Sequence, residues 1–409
     1  MATNPRSWKR NIVLFLSSQV ISLFGSSLVQ CAMSWYITLE TQSGTMMTIA
    51  MICGFLPMFL ISPFAGVWAD RYDLKKLIIL TDALVAVSTL GLALAFWAGS
   101  RDFQLIFAVM AVRGIGQGIQ LPAVNALIPR LVPEDKLMRI NSINSSAQSG
   151  MMLLSPALAA ALMALAPLET IFFIDVATAA AAIAIFGLFV HLEKSGSRPA
   201  QETKVDYFQD LRLGLKYIAH HHIVSRLFMF NAVMMLMAAP VAVLYALQVT
   251  RLFGADAWRL SAADIGFSVG MLLGGLIMMS WGGFKNRHRT ITLGMYIFSA
   301  GTVLCGVIDH FWLYIVLMVA VGLAMPIFST PFTVLLQEKV EPEYLGRVFS
   351  FMTMLASLAM PLGLLVFGPL ADSIGLSELF IITGAVQFIT TLFFMLNKPL
   401  AEAGRQQAS

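Results

Sequence analysis

Twelve apolar runs, each about 20 residues or longer, follow one another along this chain with short polar gaps between them. They lie near 12–38, 45–69, 77–98, 103–127, 141–166 and 169–190, then 223–249, 262–283, 290–309, 311–336, 348–371 and 377–396. A run of that length crosses the hydrocarbon of a bilayer as a helix. Inside lipid the backbone must satisfy its own hydrogen bonds, which leaves helices or closed barrels. The runs are continuously apolar rather than alternating, so helices are expected. The 409 residues are 58% hydrophobic and 12% charged, against about 25% charged in a soluble domain. Too little charge remains to cover a water-facing surface, and the outer wall is expected to face lipid.

The distribution of charge sets the orientation. With the first polar segment inside, 22 of the 26 Lys and Arg fall in inner segments. Only Arg101, Arg251 and Arg259 fall outside, and Arg113 lies within a span. The positive-inside rule then predicts that both termini are cytoplasmic. The net charge of +4 is read as loops meeting anionic lipid headgroups, and nucleic acid is not expected as a partner. The apolar run after Arg6, Lys9 and Arg10 is about 27 residues, beyond the 7–15 of a cleavable leader, and is read as a retained helix.

The longest polar stretch, 191–222, divides the spans into six and six. Domains are therefore expected at 1–190 and 223–409, joined by a cytoplasmic linker. Tyr207, Phe208, Leu211, Leu215 and Ile218 recur there at helical spacing, which predicts an amphipathic helix on the inner surface. At an offset of 208 residues, Val132, Leu137, Arg139 and Ser142 match Val340, Leu345, Arg347 and Ser350. Each set lies between the fourth and fifth span of its half, as an internal duplication requires. Cys31, Cys53 and Cys305 have unrelated spacings and suggest neither disulfides nor a metal. His220, His221 and His222 are consecutive and splay apart on a helix, so no metal site is expected. No loop is long enough to hold an enzyme domain, and no phosphate-binding loop is present; neither enzymatic activity nor a cofactor is expected.

Between the second and third runs stands Gly66-Val67-Trp68-Ala69-Asp70-Arg71-Tyr72-Asp73-Leu74-Lys75-Lys76. Two further stretches are Leu121-Pro122-Ala123-Val124-Asn125-Ala126 and Gln337-Glu338-Lys339-Val340-Glu341-Pro342-Glu343-Tyr344-Leu345-Gly346-Arg347-Val348-Phe349-Ser350. Together they resemble the major facilitator superfamily over essentially the whole chain, and within it the drug:proton antiporter branch with the bacterial macrolide-efflux proteins. The resemblance implies an all-α membrane protein of twelve transmembrane helices in two pseudo-symmetric six-helix bundles. It implies a multi-pass protein of the bacterial cytoplasmic membrane, acting as a monomer, that exports amphiphilic small molecules by alternating access in exchange for protons. A dedicated exporter of a native metabolite, such as a siderophore or lipid-like molecule, is the alternative, followed by a non-transporting receptor or scaffold. The chain departs from the pattern at Asp73, where relatives carry glycine. It departs again at Ser155-Pro156-Ala157-Leu158-Ala159-Ala160, which keeps the proline of the antiporter motif and replaces its glycines with other small residues.

Three groups of side chains are candidates for the chemistry. Gly66, Asp70, Arg71, Lys75, Lys76 and Arg347 form the gating loop and its implied partner at the start of the eleventh helix, with Lys75 and Lys76 as headgroup anchors. Arg113 lies about ten residues into the fourth span, and Asp175 about seven into the sixth, at depths that allow an ion pair. A charge at that depth reads as functional; the resemblance, carried by Arg113-Gly114-Ile115-Gly116-Gln117-Gly118, implies that Arg113 serves proton movement, and Asp175 is taken with it as the candidate coupling carboxylate. Asp82 is read as a headgroup-level or loop-network residue. The resemblance puts the cavity walls on spans one, four, seven and ten. Those spans carry Gln19, Ser22, Gln30, Gln117, Gln120, Asn231, Met234, Met235, Tyr245, Phe328, Ser329 and Thr330, a mixed amide, aromatic and methionine surface suited to bulky amphiphiles.

Overall fold

The computed structural model describes residues 5–133, 136–190 and 215–405, without the side chains of residues 5–7, 63, 67, 70 and 71. Twelve of the described helices are long and apolar enough to cross a bilayer, one on each expected run. In the first half they are α1 (Pro5–Thr41), α2 (Gly44–Arg71), α3 (Leu74–Trp97), α4 (Phe103–Leu131), α5 (Leu137–Leu165) and α6 (Leu168–Phe189). In the second half they are α7 (His222–Phe253), α8 (Ala257–Trp281), α9 (Arg287–Val307), α10 (Phe311–Lys339), α11 (Pro342–Ser373) and α12 (Leu376–Leu396). The linker lies outside the described residues up to position 214, and with it most of the expected amphipathic helix; residues 215–220 are helical.

Local chemistry explains where the helices begin and end. Asp73 is the N-cap of α3 and accepts hydrogen bonds from the backbone amides of Lys75 and Lys76. Asp102 and Asn286 cap α4 and α9 in the same way, each satisfying amides that a helix start leaves free. Asp73 thus fastens the start of the third helix. Between α7 and α8 the chain turns at Gly254 with φ 113°, a backbone angle that a side chain would resist.

The chain forms two compact units, one of Met1–Glu40 with Ile49–Thr203, the other of Thr41–Thr48 with Lys204–Ser409. In the first, α3 packs against α4 and α6; in the second, α9 packs against α10 and α12. The third helix of each half thus sits between the fourth and sixth of that half. The repeat found in sequence has the same counterpart. Val132 and Val340 both end the fourth helix of their half, with extended backbones at φ −127°, ψ 136° and φ −96°, ψ 131°, and both are buried.

Along α3, Leu80, Leu84, Val87 and Leu94 point outward, while Thr81, Asp82, Ala86 and Thr89 are buried together with Leu74, Ile78, Leu92 and Phe96. The outward apolar residues meet lipid, and the small or polar buried ones let helices approach. Where α2 meets α3, Ala69 and Leu74, the apolar flanks of the Gly66–Lys76 loop, are buried in one cluster with Ile12, Phe15, Leu127 and Phe186.

The segment Thr41–Thr48 is held in the second unit by the Thr48 hydroxyl, which donates to the Leu364 carbonyl at 3.0 Å, and by one carboxylate. Asp372, at the end of α11, accepts from the amides of Gly44 (2.8 Å) and Thr45 (2.9 Å) and from the hydroxyls of Ser43 (2.8 Å) and Thr45 (2.9 Å). Arg251 pairs with it at 3.0 Å and also donates to the carbonyls of Ala371 and Gln42. Asp372 thereby caps the first turn of α2 from another helix. Backbone hydrogen exchange over residues 43–48 is expected to be roughly fivefold faster in Asp372→Ala, the effect of about 1 kcal/mol of lost capping, with α9 unchanged.

Candidate functional site

The interior of the first unit carries a buried ion pair. Arg113 of α4 and Asp175 of α6 are joined at 2.7 Å, with side chains 3% and 1% exposed. The same Nη1 also donates to the Thr89 hydroxyl of α3 at 2.9 Å, and Nη2 donates to the Ser26 carbonyl of α1 at 3.0 Å. The Ser26 hydroxyl reaches the second oxygen of Asp175 at 3.4 Å. Four helices thus meet around one guanidinium. A buried charge requires this: breaking such a pair by deleting one partner leaves the other ion uncompensated, at a cost of about 3–5 kcal/mol. Gly25 makes the convergence possible, since a Cβ there would collide with the Thr178 hydroxyl and crowd the Asp175 carboxylate.

A second carboxylate stands on the same helix as Thr89. Asp82 is 8% exposed and accepts from Gln120 Nε2 of α4 at 2.8 Å and from the Ser22 hydroxyl of α1 at 3.4 Å. This corrects the reading of Asp82 as a headgroup-level residue: it faces α1 and α4 from within the bundle. Ser22 and Gln120, both expected in the cavity wall, are its partners.

The loop residues divide into two kinds. Asp70 and Arg71 end α2, and their side chains lie outside the described residues. A side chain added at Gly66 would meet open space. Lys75 donates to the carbonyls of Gly187 (2.8 Å) and Val190 (2.7 Å), satisfying the end of α6. Lys76 is exposed. Arg347, in the first turns of α11, lies 5.7 Å from the Tyr344 ring centroid, and that ring stacks on Tyr217 at 4.4 Å.

In the second unit a narrow apolar cleft lies between α7, α9 and α10, lined by Met234, Met235, Met295, Phe298, Met325 and Phe328. Ala238 and Ala324 complete its wall. Gly294 admits the backbone of Phe328 close against α9, where a Cβ would sit 2.7 Å from its amide. Three of these residues, Met234, Met235 and Phe328, are among those expected from the sequence. Met295 and Phe298 are not, because α9 was not counted among the walls, and Met325 of α10 was not singled out. Of the remaining expected residues, Asn231 is buried, Gln19 and Gln30 are half-buried, and Gln117, Ser329 and Thr330 are exposed. The Tyr245 hydroxyl donates to Asp264 of α8, a carboxylate that sequence reasoning passed over.

Among the described residues no three His, Cys, Asp or Glu side chains are grouped to hold a metal. The histidines have structural roles: His221 caps α7 by accepting from the Val224 amide, and His220 bonds the Lys216 carbonyl.

The Major Facilitator Superfamily profile matches residues 15–262 and again 227–409. Macrolide efflux protein A of Streptococcus pyogenes is 31% identical over 382 residues, covering 93% of this chain and 94% of that protein. The Staphyloferrin A transporter of Staphylococcus aureus is 23% identical, covering 94% and 96%. Among solved structures, a POT family transporter in complex with 5-aminolevulinic acid superposes with a TM-score of 0.73 at 14% identity, covering 95% and 96%. A nucleoside transporter gives 0.67 at 14%, covering 94% and 98%.

The close approach at Gly25 yields a stability test. Gly25→Ala is expected to lower the thermal unfolding midpoint in detergent, by the ~1–3 kcal/mol typical of overpacking. Gly91→Ala, whose Cβ meets open space, is expected to leave it unchanged.

Proposed function

This chain belongs to the Major Facilitator Superfamily and is a multi-pass membrane transporter rather than an enzyme, and on that premise we propose that it exports macrolide-like amphiphiles in exchange for protons. The cleft between α7, α9 and α10 carries this reading. Its methionine and phenylalanine surface has no fixed polar pattern, and methionine reshapes itself around large apolar ligands at little cost. The likeness to macrolide efflux protein A over 93% of the chain supports the same substrate class. A dedicated exporter of a native metabolite is the second reading, favoured by the 23% identity to the Staphyloferrin A transporter.

Coupling is assigned to the Arg113–Asp175 pair. A proton arriving on Asp175 would remove the counter-charge of Arg113 and release the four helices that converge on it. A change in one titratable group would thereby become a change in packing, which is what alternating access needs. Asp70 and Arg71, at the end of α2, are assigned to the cytoplasmic gate together with Arg347, and the termini to the cytoplasm by the positive-inside rule.

Inside-out vesicles carrying a proton gradient test the proposal. Added macrolides are expected to dissipate the gradient and to accumulate as labelled drug. Asp70→Ala and Asp175→Asn are expected to reduce both at least tenfold. Phe298→Ala is expected to alter which macrolides respond while leaving exchange with others intact. If no macrolide or other amphiphile produces dissipation in folded protein, the drug reading fails and the native-metabolite reading takes its place.

A further inference from the structure

Among the described residues of the first unit, Asp82 is a deeply buried carboxylate with no cation in contact. It lies eight residues after Leu74, the first residue of α3, and so about 12 Å along the helix. Both donors that reach it, Gln120 Nε2 at 2.8 Å and the Ser22 hydroxyl at 3.4 Å, converge on the same oxygen, Oδ1. Both are neutral.

The charged groups on the surrounding helices are committed elsewhere. Arg113 of α4 is held by Asp175, the Thr89 hydroxyl and the Ser26 carbonyl. Lys75, in the first turn of α3, donates to the carbonyls of Gly187 and Val190. On α1 the nearest cation in sequence, Arg10, precedes Ser22 by twelve residues, about 18 Å along a helix. Arg130 follows Gln120 by ten residues, about 15 Å. On α6, Asp175 is paired with Arg113, and neither it nor Glu169 supplies a positive charge.

An ionised carboxylate in that setting would be a buried charge held by two neutral donors and no cation, an arrangement disfavoured away from water. The neutral acid has no such penalty, and the hydrogen bonds suit it. A carbonyl oxygen has two lone pairs and accepts twice, while the other oxygen carries the proton. Oδ1 accepts twice. Oδ2 is the oxygen left to hold hydrogen.

We infer that Asp82 is a proton-binding site, occupied in the conformation described here, distinct from the Arg113–Asp175 pair and able to load and unload one proton per cycle. Its role in transport rests on the proton-antiport reading above. Loading adds one proton to Oδ2 and cancels one negative charge; unloading returns the proton to water and restores the carboxylate. Because the partners lie on α1 and α4, the charge on Asp82 senses how those two helices are packed against α3. Water or a cation admitted between them would favour release.

Infrared difference spectra of the full chain in lipid, recorded through a pH titration, test the inference. Wild type is expected to show the carbonyl stretch of a protonated carboxylic acid. Asp82→Asn is expected to remove that band, Asp175→Asn to keep it, and Asp82→Glu to restore a titrating band if the asparagine variant folds poorly. In vesicles, Asp82→Asn is expected to reduce macrolide-driven gradient dissipation at least tenfold while labelled macrolide still binds. Survival of the band in Asp82→Asn, or proton exchange by that variant at the wild-type rate, would overturn the assignment. An Asp82-dependent band in wild-type protein that exchanges protons for no compound would reject antiport and leave the proton site standing.

Discussion

A guanidinium placed in the middle of a membrane protein must find an acid, and much of the first unit is organised by how Arg113 finds one. Its partner Asp175 is on α6, its second acceptor Thr89 on α3 and its third, the Ser26 carbonyl, on α1. To bring these within reach, α1 and α6 must nearly touch, and Gly25 removes the side chain that would hold them apart. Lipid offers no hydrophobic driving force between helices, so close approach and satisfied polar groups must do that work. The same logic extends to Asp82, whose donors come from the same two neighbours, α1 and α4.

The second unit solves a different problem with the same architecture. Its third helix, α9, again sits between the fourth and sixth of its half. Where the first unit has Arg113 and Asp175, however, the second has a cleft with methionine and phenylalanine walls. The same helix order thus encloses a buried ion pair in one unit and an apolar cleft in the other.

How much of this was legible in the sequence depended on the type of signal. The twelve spans were legible because continuous apolarity is a length signal that needs no knowledge of neighbours. Arg113 and Asp175 stood out because charge at that depth is rare. Asp82 was misread because counting residues from the start of α3 gives depth without direction. The information was present in the stripe Ile78, Thr81, Asp82, Ala86 and Thr89, set against the outward Leu80, Leu84, Val87 and Leu94. The polar residues of α3 lie on this inner stripe, where they can meet neighbouring helices. Met295 and Phe298 were missed because the walls had been placed on spans one, four, seven and ten, and these two residues lie on the ninth. The Asp372 clasp joins positions 327 to 329 residues apart, and no local pattern announces a cap donated from so far away.

The short turn between α2 and α3 has a mechanical consequence. On one side Asp73 and Lys75 fasten the start of α3 to itself and to the end of α6. On the other, α2 continues to Arg71, and only Tyr72 separates that helix from the Asp73 cap. Two peptide steps reach no more than about 7 Å. The tip of α2 is therefore on a leash one residue long: it can swivel about Tyr72, but it cannot leave α3. Any rotation of α2 that moves Asp70 must be delivered as torque at a single exposed tyrosine, with the third and sixth helices serving as its mounting.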